Sequence, residues 1–288
     1  MLQILLLGAP VVLLNEQPVL IRRRLQRSML FYLASHLEPV SRSDLLMLFW
    51  PDAGEQDGRR HLREALSKLR AQLADPQYWL VDQDRIGFNP EYVSVDVRNF
   101  LRAVADTEYL FRQTPRQVSL PLAAYHSALA AVQLWRANRF LSGASLHSSH
   151  EFDEWLTSTT QDLENARLGI LERLGYHAAA SGDLMGAVQY IRQVLEIDDQ
   201  NETLYHQILI WLRTLGLRAE IVKTCAQIEA VYERETGGPP PPMLLEVCRQ
   251  IRSEPHSPQT GRTLWPLPTR IQPPFVGRVY AIQQLNLL

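Results

Sequence analysis

The sequence predicts a mainly α-helical protein in which a small α+β domain precedes an all-α domain. Three observations support this fold class. Short apolar strands and helical stripes alternate up to about residue 95. From Val95 onward the chain shows helical periodicity without strands. Within that second part, a segment recurs after 34 residues, which is the period of a helix-turn-helix repeat.

Length and composition limit the class of protein. A chain of 288 residues favours two domains, and 46% hydrophobic with 21% charged residues is typical of a globular protein with a core. The formal charge of −2 means that any nucleic-acid contact must come from local clustering of cations. No stretch approaches 18 uninterrupted apolar residues, so we expect no membrane span.

The number of cysteines and the N-terminal sequence indicate the cellular compartment of the protein. The two cysteines, Cys225 and Cys248, do not make a disulfide framework and fit a reducing cytoplasm. The apolar start LQILLLGAPVVLL lacks a basic region and is interrupted at Gly8 and Pro10, so it predicts strands rather than a signal peptide. We therefore expect a cytoplasmic protein.

The first elements are three short strands and a helix. Strands are predicted at residues 2–7, 11–14 and 19–21, with a turn at Glu16–Pro18, and a helix at about 23–37. Four cations stand at the start of that helix, at Arg22, Arg23, Arg24 and Arg27. The helix dipole disfavours cations there, so a bound phosphate would relieve the conflict. The alternative is that these arginines are simply solvated.

A second helix, an acidic segment and a hairpin come next. Ser41–Asp44 is a capping box, and Pro51 ends the helix that it starts. Residues 51–57, PDAGEQD, predict a polar loop, and YWLVDQDRIGFN predicts two strands around a turn near Gln83–Arg85. The order sheet, helix, helix, loop, helix, hairpin is that of a winged helix-turn-helix, which we place at residues 1–98.

The third helix, RRHLREALSKLRAQL, is the most informative segment. Its leucines form one apolar stripe, at Leu62, Leu66, Leu69 and Leu73. Residues 59–70 hold five Arg or Lys residues against one Glu, and the opposite face is small at Ser67 and Ala71. A helix that enters a DNA major groove needs cations and short side chains in this way. The alternative is an ordinary amphipathic helix with a solvated basic face.

These elements give the candidate DNA contacts. Those on the first and third helices and on the wing are Arg23, Arg24, Arg59, Arg60, Arg63, Glu64, Ser67, Lys68, Arg70 and Arg85. The acids of the 51–57 loop, Asp52, Glu55 and Asp57, would instead repel phosphates and suit a basic protein surface. The alternative is a solvated connector whose acids cap the third helix, with Asp57 as the N-cap residue.

The second domain, at residues 99–252, is predicted to be a tetratricopeptide-like stack. Its candidate helices are 97–106, 120–134, 151–179, 184–196, 201–214, 218–235 and 242–252. The repeat aligns Gly182 with Gly216, Val188 with Val222 and Val194 with Ile228. The indoles of Trp135, Trp155 and Trp211 are interpreted as anchors between helices rather than a ligand cage. Tyr205, His206 and Tyr232 could line the concave face, although burial between helices is favoured.

No catalytic, cofactor or metal site is expected. The chain has no phosphate loop of the type G-x-x-x-x-G-K-[ST] and no G-x-S-x-G elbow, so we predict that it is not an enzyme. His147 and His150 could ligate zinc, but a polar loop that caps the next helix is favoured. A proline-rich linker is predicted at residues 253–274, and residues 275–288 resemble the opening of a further domain.

These parts, in this order, resemble the SARP-type bacterial transcriptional activators, in which a winged helix precedes a bacterial transcriptional activation domain (BTAD). The resemblance is carried by the segments LLG at 6–8, PVS at 39–41, LFWP at 48–51, LSKLR at 66–70, LWRANRFLSG at 134–143, EW at 154–155 and GD at 182–183. FVGR at 275–278 resembles the start of a STAND-type nucleotide-binding domain.

The resemblance implies a sequence-specific activator that binds double-stranded DNA and recruits RNA polymerase, and therefore a nucleoid-associated protein. It makes polymerase the leading partner for the acidic loop, and it leaves open a homodimer on direct repeats. An alternative function remains open as well. In that alternative the chain is a tetratricopeptide-type interaction scaffold, the regulatory module of a larger signal-sensing STAND ATPase.

Overall fold

A computed structural model describes residues 1–113, 119–144, 146 and 149–253. Its strands are β1 Leu2–Leu5, β2 Val11–Leu14, β3 Gln17–Pro18, β4 Val40–Ser41, β5 Trp79–Val81, β6 Arg85–Phe88 and β7 Val93–Val95. Its helices are α1 Arg24–Ser35, α2 Arg42–Phe49, α3 Glu55–Leu73, α4 Asp96–Gln113, α5 Leu122–Gln133, α6 His150–Ala180, α7 Leu184–Leu195, α8 Glu202–Thr214, α9 Arg218–Thr236 and α10 Pro242–Ser253. The predicted fold class, a winged helix-turn-helix followed by a helical repeat domain, is confirmed.

The N-terminal sheet has the order β3-β2-β1-β7, and β7 pairs with β1 in parallel. The β2–β3 turn lies at Asn15–Glu16, where both residues have a positive φ of 48° and 66°. Two consecutive residues with positive φ form a tight turn whose twist matches the right-handed twist of the flanking strands. The turn therefore falls one residue earlier than predicted, and the third strand lies at Gln17–Pro18 rather than at 19–21.

The second sheet has the order β4-β6-β5 and forms the wing beside α1, α2 and α3. Ser41 begins α2 as its N-cap residue, and its Oγ accepts a hydrogen bond from the backbone N–H of Asp44 at 3.0 Å. This bond satisfies a donor that the first turn leaves without a partner. Helix α1 ends at Ser35, two residues before the predicted end.

Two buried side chains in the first turn of α4 join that helix to the winged helix. Asp96 accepts hydrogen bonds from the backbone N–H groups of Leu6 and Leu7 at 2.7–2.9 Å. Arg98 donates to the carbonyl oxygens of Leu33 at the end of α1 (3.0 Å) and Phe88 in β6 (3.1 Å). Burial lowers the pKa of Arg98 to about 10. The N-terminal sheet, α1 and the wing thus converge on one helical turn.

The helical part forms a stack of antiparallel neighbours. The aligned glycines, Gly182 and Gly216, both have a left-handed backbone, with φ of 86° and 69°, and each follows the end of a helix. That conformation costs glycine little, which explains its recurrence at this turn. The register of the repeat is only partly matched in the packing. Val194 and Ile228 are both buried, whereas Val222 is 43% exposed and the buried stripe of α9 passes through Ile221 instead.

The long helix α6 packs directly against the winged helix. The Ser149 hydroxyl, at its N-cap, donates to the carbonyl oxygen of Leu48 in α2 at 3.0 Å. The ring of Phe152 lies 5.6 Å from that of Phe49. The indole of Trp155 contacts Tyr32 with ring centroids 4.8 Å apart. Residues 1–252 accordingly form one compact unit in which a single apolar core extends from β1 into α6.

The structure corrects the prediction about the cysteines. Cys225 in α9 and Cys248 in α10 form a disulfide, and both residues are buried. The sequence alone did not indicate this pairing, because two cysteines 23 residues apart are bridged only if the packing of their helices brings them together.

The predictions for the C-terminal linker and for the segment FVGR lie outside the described residues. No helix in the described part of the chain is long and apolar enough to cross a membrane.

Candidate nucleic-acid interface

Helix α3 has one buried and one exposed face. The leucines of the predicted stripe are 0–4% exposed and pack into the core. The opposite side, with Arg60, Glu64, Ser67 and Ala71, is exposed, and Lys68 lies partly exposed beside it. The orientation predicted from the leucine spacing is therefore the one that the structure has.

Ion pairs within α3 organise its exposed cations. Arg59 pairs with Glu55 at 2.5 Å, Arg60 pairs with Asp57 at 2.9 Å, and Lys68 pairs with Glu64. The hydrogen bond from Lys68 lowers the pKa of Glu64, and the lysine charge lowers it further. Exposed pairs of this kind are weak, so a phosphate can compete for the same cations.

The start of α3 differs from the prediction. The helix begins at Glu55, with Gly54 as an N-cap residue that offers no side chain for capping. Glu55 and Asp57 therefore lie in the first helical turn, where negative charge suits the helix dipole, rather than in a loop. Asp57 is not the N-cap residue. Asp52 remains in the connection between α2 and α3 and is exposed.

The predicted cations of α1 lie beside α3. Arg23 is the N-cap residue of α1, and both Arg23 and Arg24 are exposed. The charge of Arg23 contributes to the lowered pKa of Glu64 on α3. The side chain of Gln72 in α3 donates a hydrogen bond to that of Gln26 in the first turn of α1 at 3.2 Å, which joins the start of α1 to α3. Arg27 instead donates to the carbonyl oxygen of Ile21 at 3.3 Å.

The wing turn is held by one carboxylate. Asp82 Oδ1 accepts hydrogen bonds from the backbone N–H groups of Asp84 (2.9 Å) and Arg85 (2.6 Å), and the bond from Arg85 is the largest cause of the lowered pKa of Asp82. Arg85 is exposed but is the first residue of β6 rather than the tip of the turn.

A groove runs between α3 and the hairpin of β5 and β6, and Arg42 and Trp79 are among its lining residues that were not predicted. Its volume is about 410 Å³. The charged and hydroxyl groups that line it are Arg42, Arg63, Ser67, Arg70 and Asp75, and Trp79 lies among the apolar ones. The sequence pattern did not indicate Arg42 or Trp79, because each belongs to a different element and only the fold brings them to α3.

The other candidate residues, Trp135, Trp211 and Tyr205, are packed among neighbouring side chains. Trp135 packs against Phe100 with ring centroids 5.5 Å apart, and Trp211 contacts Tyr176 at 5.9 Å, which confirms their role as anchors. Tyr205 is 1% exposed, and burial raises its pKa to about 12.

Of the histidine pair in the sequence, His150 lies within the described residues, as the first residue of α6. His147 lies outside the described residues, and His150 Nε2 is 3.2 Å from Glu154 Oε1. Within the described ranges, no group of three or more His, Cys, Asp or Glu side chains is placed to hold a metal ion.

Comparisons with known proteins agree with this architecture. The family described as "Bacterial transcriptional activator domain" matches residues 95–252, more than half of the chain. Among solved structures, the fold is similar to that of "Mycobacterium tuberculosis EmbR in complex with low affinity phosphopeptide", with a TM-score of 0.58 and 18% identity. That match covers 88% of this chain and 66% of the EmbR chain. No significant match was found among curated protein sequences.

The two comparisons cover different parts of the chain. The family match covers the helical stack from the end of β7 to α10. The structural similarity covers most of the chain and, at 18% identity, concerns the fold alone. The chain therefore belongs to the bacterial transcriptional activator domain family, and it has the winged-helix and helical-repeat architecture of an SARP-type regulator.

Proposed function

We propose that this chain is a sequence-specific DNA-binding transcriptional activator that recruits RNA polymerase. The observation that supports it most is the exposed face of α3, where Arg59, Arg60 and Arg63 stand on a helix whose leucines are buried. A major groove accepts an α-helix, and arginine is the side chain best suited to read guanine. Ser67 and Ala71 keep the middle of that face low enough for close approach.

The proposed DNA contacts are of two types, contacts to bases and contacts to backbone phosphates. Arg60 and Arg63 lie on the exposed face of α3 and are the candidates for base contacts. Arg23 and Arg24 at the start of α1, and Arg85 in the wing, are exposed outside α3 and suit backbone phosphates. Phosphate contacts position a protein on the duplex, whereas base contacts specify the sequence.

The experiment uses the whole chain and a duplex that it enriches from a random pool. Replacing Arg60 and Arg63 together by Ala is expected to cost about 1–3 kcal/mol for each arginine that contacts a base. Arg249→Ala, on the exposed side of α10, is the control for the loss of a single charge outside the winged helix. Binding by the double variant that equals the parent across a salt titration would refute docking through α3.

The proposed polymerase contact is the connection between α2 and α3 with the first turn of α3. Asp52 is exposed there, and the carboxylates of Glu55 and Asp57 are engaged with Arg59 and Arg60. Neutralising Asp52 and Glu55 together should leave DNA affinity equal or higher, because these acids repel phosphates. Transcript yield from the target promoter should fall.

A reconstituted transcription assay measures the transcript yield of the parent and of the variant at saturating occupancy of the promoter. If yield follows occupancy alone, the acidic segment is only a connector. If the parent chain binds no duplex at all, the alternative is favoured, namely a helical scaffold that regulates a larger protein.

A further inference from the structure

We propose that the groove between α4 and α6 is a docking site for a helix of another protein, one whose apolar stripe is flanked by lysine or arginine. The groove belongs to the helical stack and contains none of the residues assigned to DNA. The proposal therefore goes beyond the proposed function and does not depend on it.

The α4–α6 groove follows one stripe of residues on each helix. On α4 the lining residues recur at i, i+3, i+4 and i+7, as Val104, Thr107, Glu108 and Phe111. On α6 the same spacing gives Ala166, Gly169, Ile170 and Arg173, and Asn165 and Glu172 line the groove as well. Seven residues rise about 10 Å along a helix, so the groove is about two turns long. Its volume is about 550 Å³.

One lining residue, Gly169, is not explained by the packing of the chain itself. It lies in the interior of α6, where glycine is less favourable than alanine because it loses more backbone freedom. Its φ is not positive, and among the described residues nothing lies within 4 Å of a Cβ built at this position. The open space above Gly169, one turn from Ala166, allows the backbone of a third helix to approach closely.

The charge that the groove presents to solvent is negative. The carboxylates that line it are those of Glu108, which is exposed, and Glu172, which is half-buried. Arg173 is 7% exposed, and its guanidinium lies 5.0 Å from the ring centroid of Phe111 and donates to the Phe111 carbonyl oxygen at 3.4 Å. Cations on a partner complement such a surface and set its orientation.

The geometry of the groove favours a helix over an extended peptide. An extended peptide binds by adding main-chain hydrogen bonds to a sheet edge, whereas α4 and α6 use their backbone groups within the helices. A helix instead inserts apolar side chains spaced by three and four residues between those of its neighbours. A second copy of this chain does not offer the matching face with α3, because that basic helix buries its own leucines.

The probe is a displayed library of helical peptides of about 15 residues, since shorter isolated helices are marginal in water. Every peptide carries a leucine stripe at i, i+3, i+4 and i+7, and the positions beside the stripe are randomised. The full chain is the bait. We expect lysine and arginine to be enriched beside the stripe, and the affinity of the selected peptides is measured by fluorescence anisotropy.

Two pairs of variants of the full chain locate the binding site. Gly169→Leu fills the groove with a side chain that favours the helix, and its control, Ala230→Leu, adds an exposed leucine on α9. Glu108→Gln removes one carboxylate from the groove. Its control is Asp106→Asn, because Asp106 is exposed on the same helix but does not line the groove. Thermal melting checks that all four variants fold.

Gly169→Leu should weaken peptide binding about tenfold or more, because the leucine occupies the space of a central partner side chain. Glu108→Gln should weaken it about threefold at low salt, as for one exposed ion pair, and have no effect at high salt. Both controls should equal the parent. A proline at the centre of a selected peptide should abolish binding, because it breaks the helix.

Three results would each overturn the proposal. The library yields no binder or only binders with acidic flanks, the selected peptides bind Gly169→Leu as tightly as the parent, or the peptide with the central proline still binds. If the parent binds the basic peptides at this groove but binds no DNA duplex, the groove proposal stands and the proposed function fails.

Discussion

Replacing Asp96 by Asn should destabilise the protein by about 2–4 kcal/mol. The carboxylate is 3% exposed and accepts hydrogen bonds at both oxygens, from the backbone N–H groups of Leu6, Leu7 and Val97. An amide has one acceptor oxygen, and its NH₂ group would face a backbone N–H. The magnitude follows from losing a charge-assisted hydrogen bond, about 1.5–3 kcal/mol, and leaving a buried donor unpaired, about 1–3 kcal/mol, offset by the smaller desolvation of a neutral side chain.

Urea denaturation of the full chain, monitored by tryptophan fluorescence, measures this loss as a lower midpoint at an unchanged slope. Asp106→Asn is the control, because Asp106 is exposed on the same helix, α4. A midpoint for Asp96→Asn that coincides with that of the control would show that the carboxylate does not hold β1 to α4, and the reasoning would fail.

Three further predictions concern stability. Leu66→Ala should cost about 2–5 kcal/mol in the same denaturation assay because it empties a buried position on α3, and an unchanged midpoint would contradict the orientation of that helix. Reducing the bond between Cys225 and Cys248, which closes a loop with a separation of 23 residues, should cost about 3 kcal/mol by the chain-entropy estimate; a melting temperature insensitive to reductant would argue against the bond. His177 Nδ1 accepts a hydrogen bond from the backbone N–H of Leu120 at 2.9 Å, and burial lowers the pKa of His177 in the folded protein. The unfolded chain therefore protonates His177 more readily than the folded chain does. Stability should fall as the pH drops below about 6.5, and His177→Asn should flatten that dependence.

The parts of the fold that the sequence predicted correctly depend on local patterns. The leucine spacing of α3 fixes its buried face whatever surrounds it, because helical periodicity is a property of one segment. The capping box at Ser41 is local in the same sense. The start of α3 was placed too late, because Gly54, its N-cap residue, offers no capping side chain, whereas Asp57 is a residue type that commonly caps helices.

The features that the sequence did not reveal depend on contacts distant along the chain. Strand β7 is only three residues long and exists because it pairs in parallel with β1, at the opposite end of the winged helix in sequence. The groove beside α3 combines α2, α3 and β5, and no single segment carries its pattern. The disulfide likewise depends on how α10 packs on α9.

The length of α6 has a consequence for protein engineering. Its 31 residues span about 46 Å at 1.5 Å per residue. Near one end Phe152 packs with the winged helix, and near the other end Ala178 packs with the repeats. A chimera that exchanges only the winged helix for that of another regulator would present foreign surfaces to Phe152 and Trp155. Exchanging the winged helix therefore requires grafting the first turns of α6 along with it.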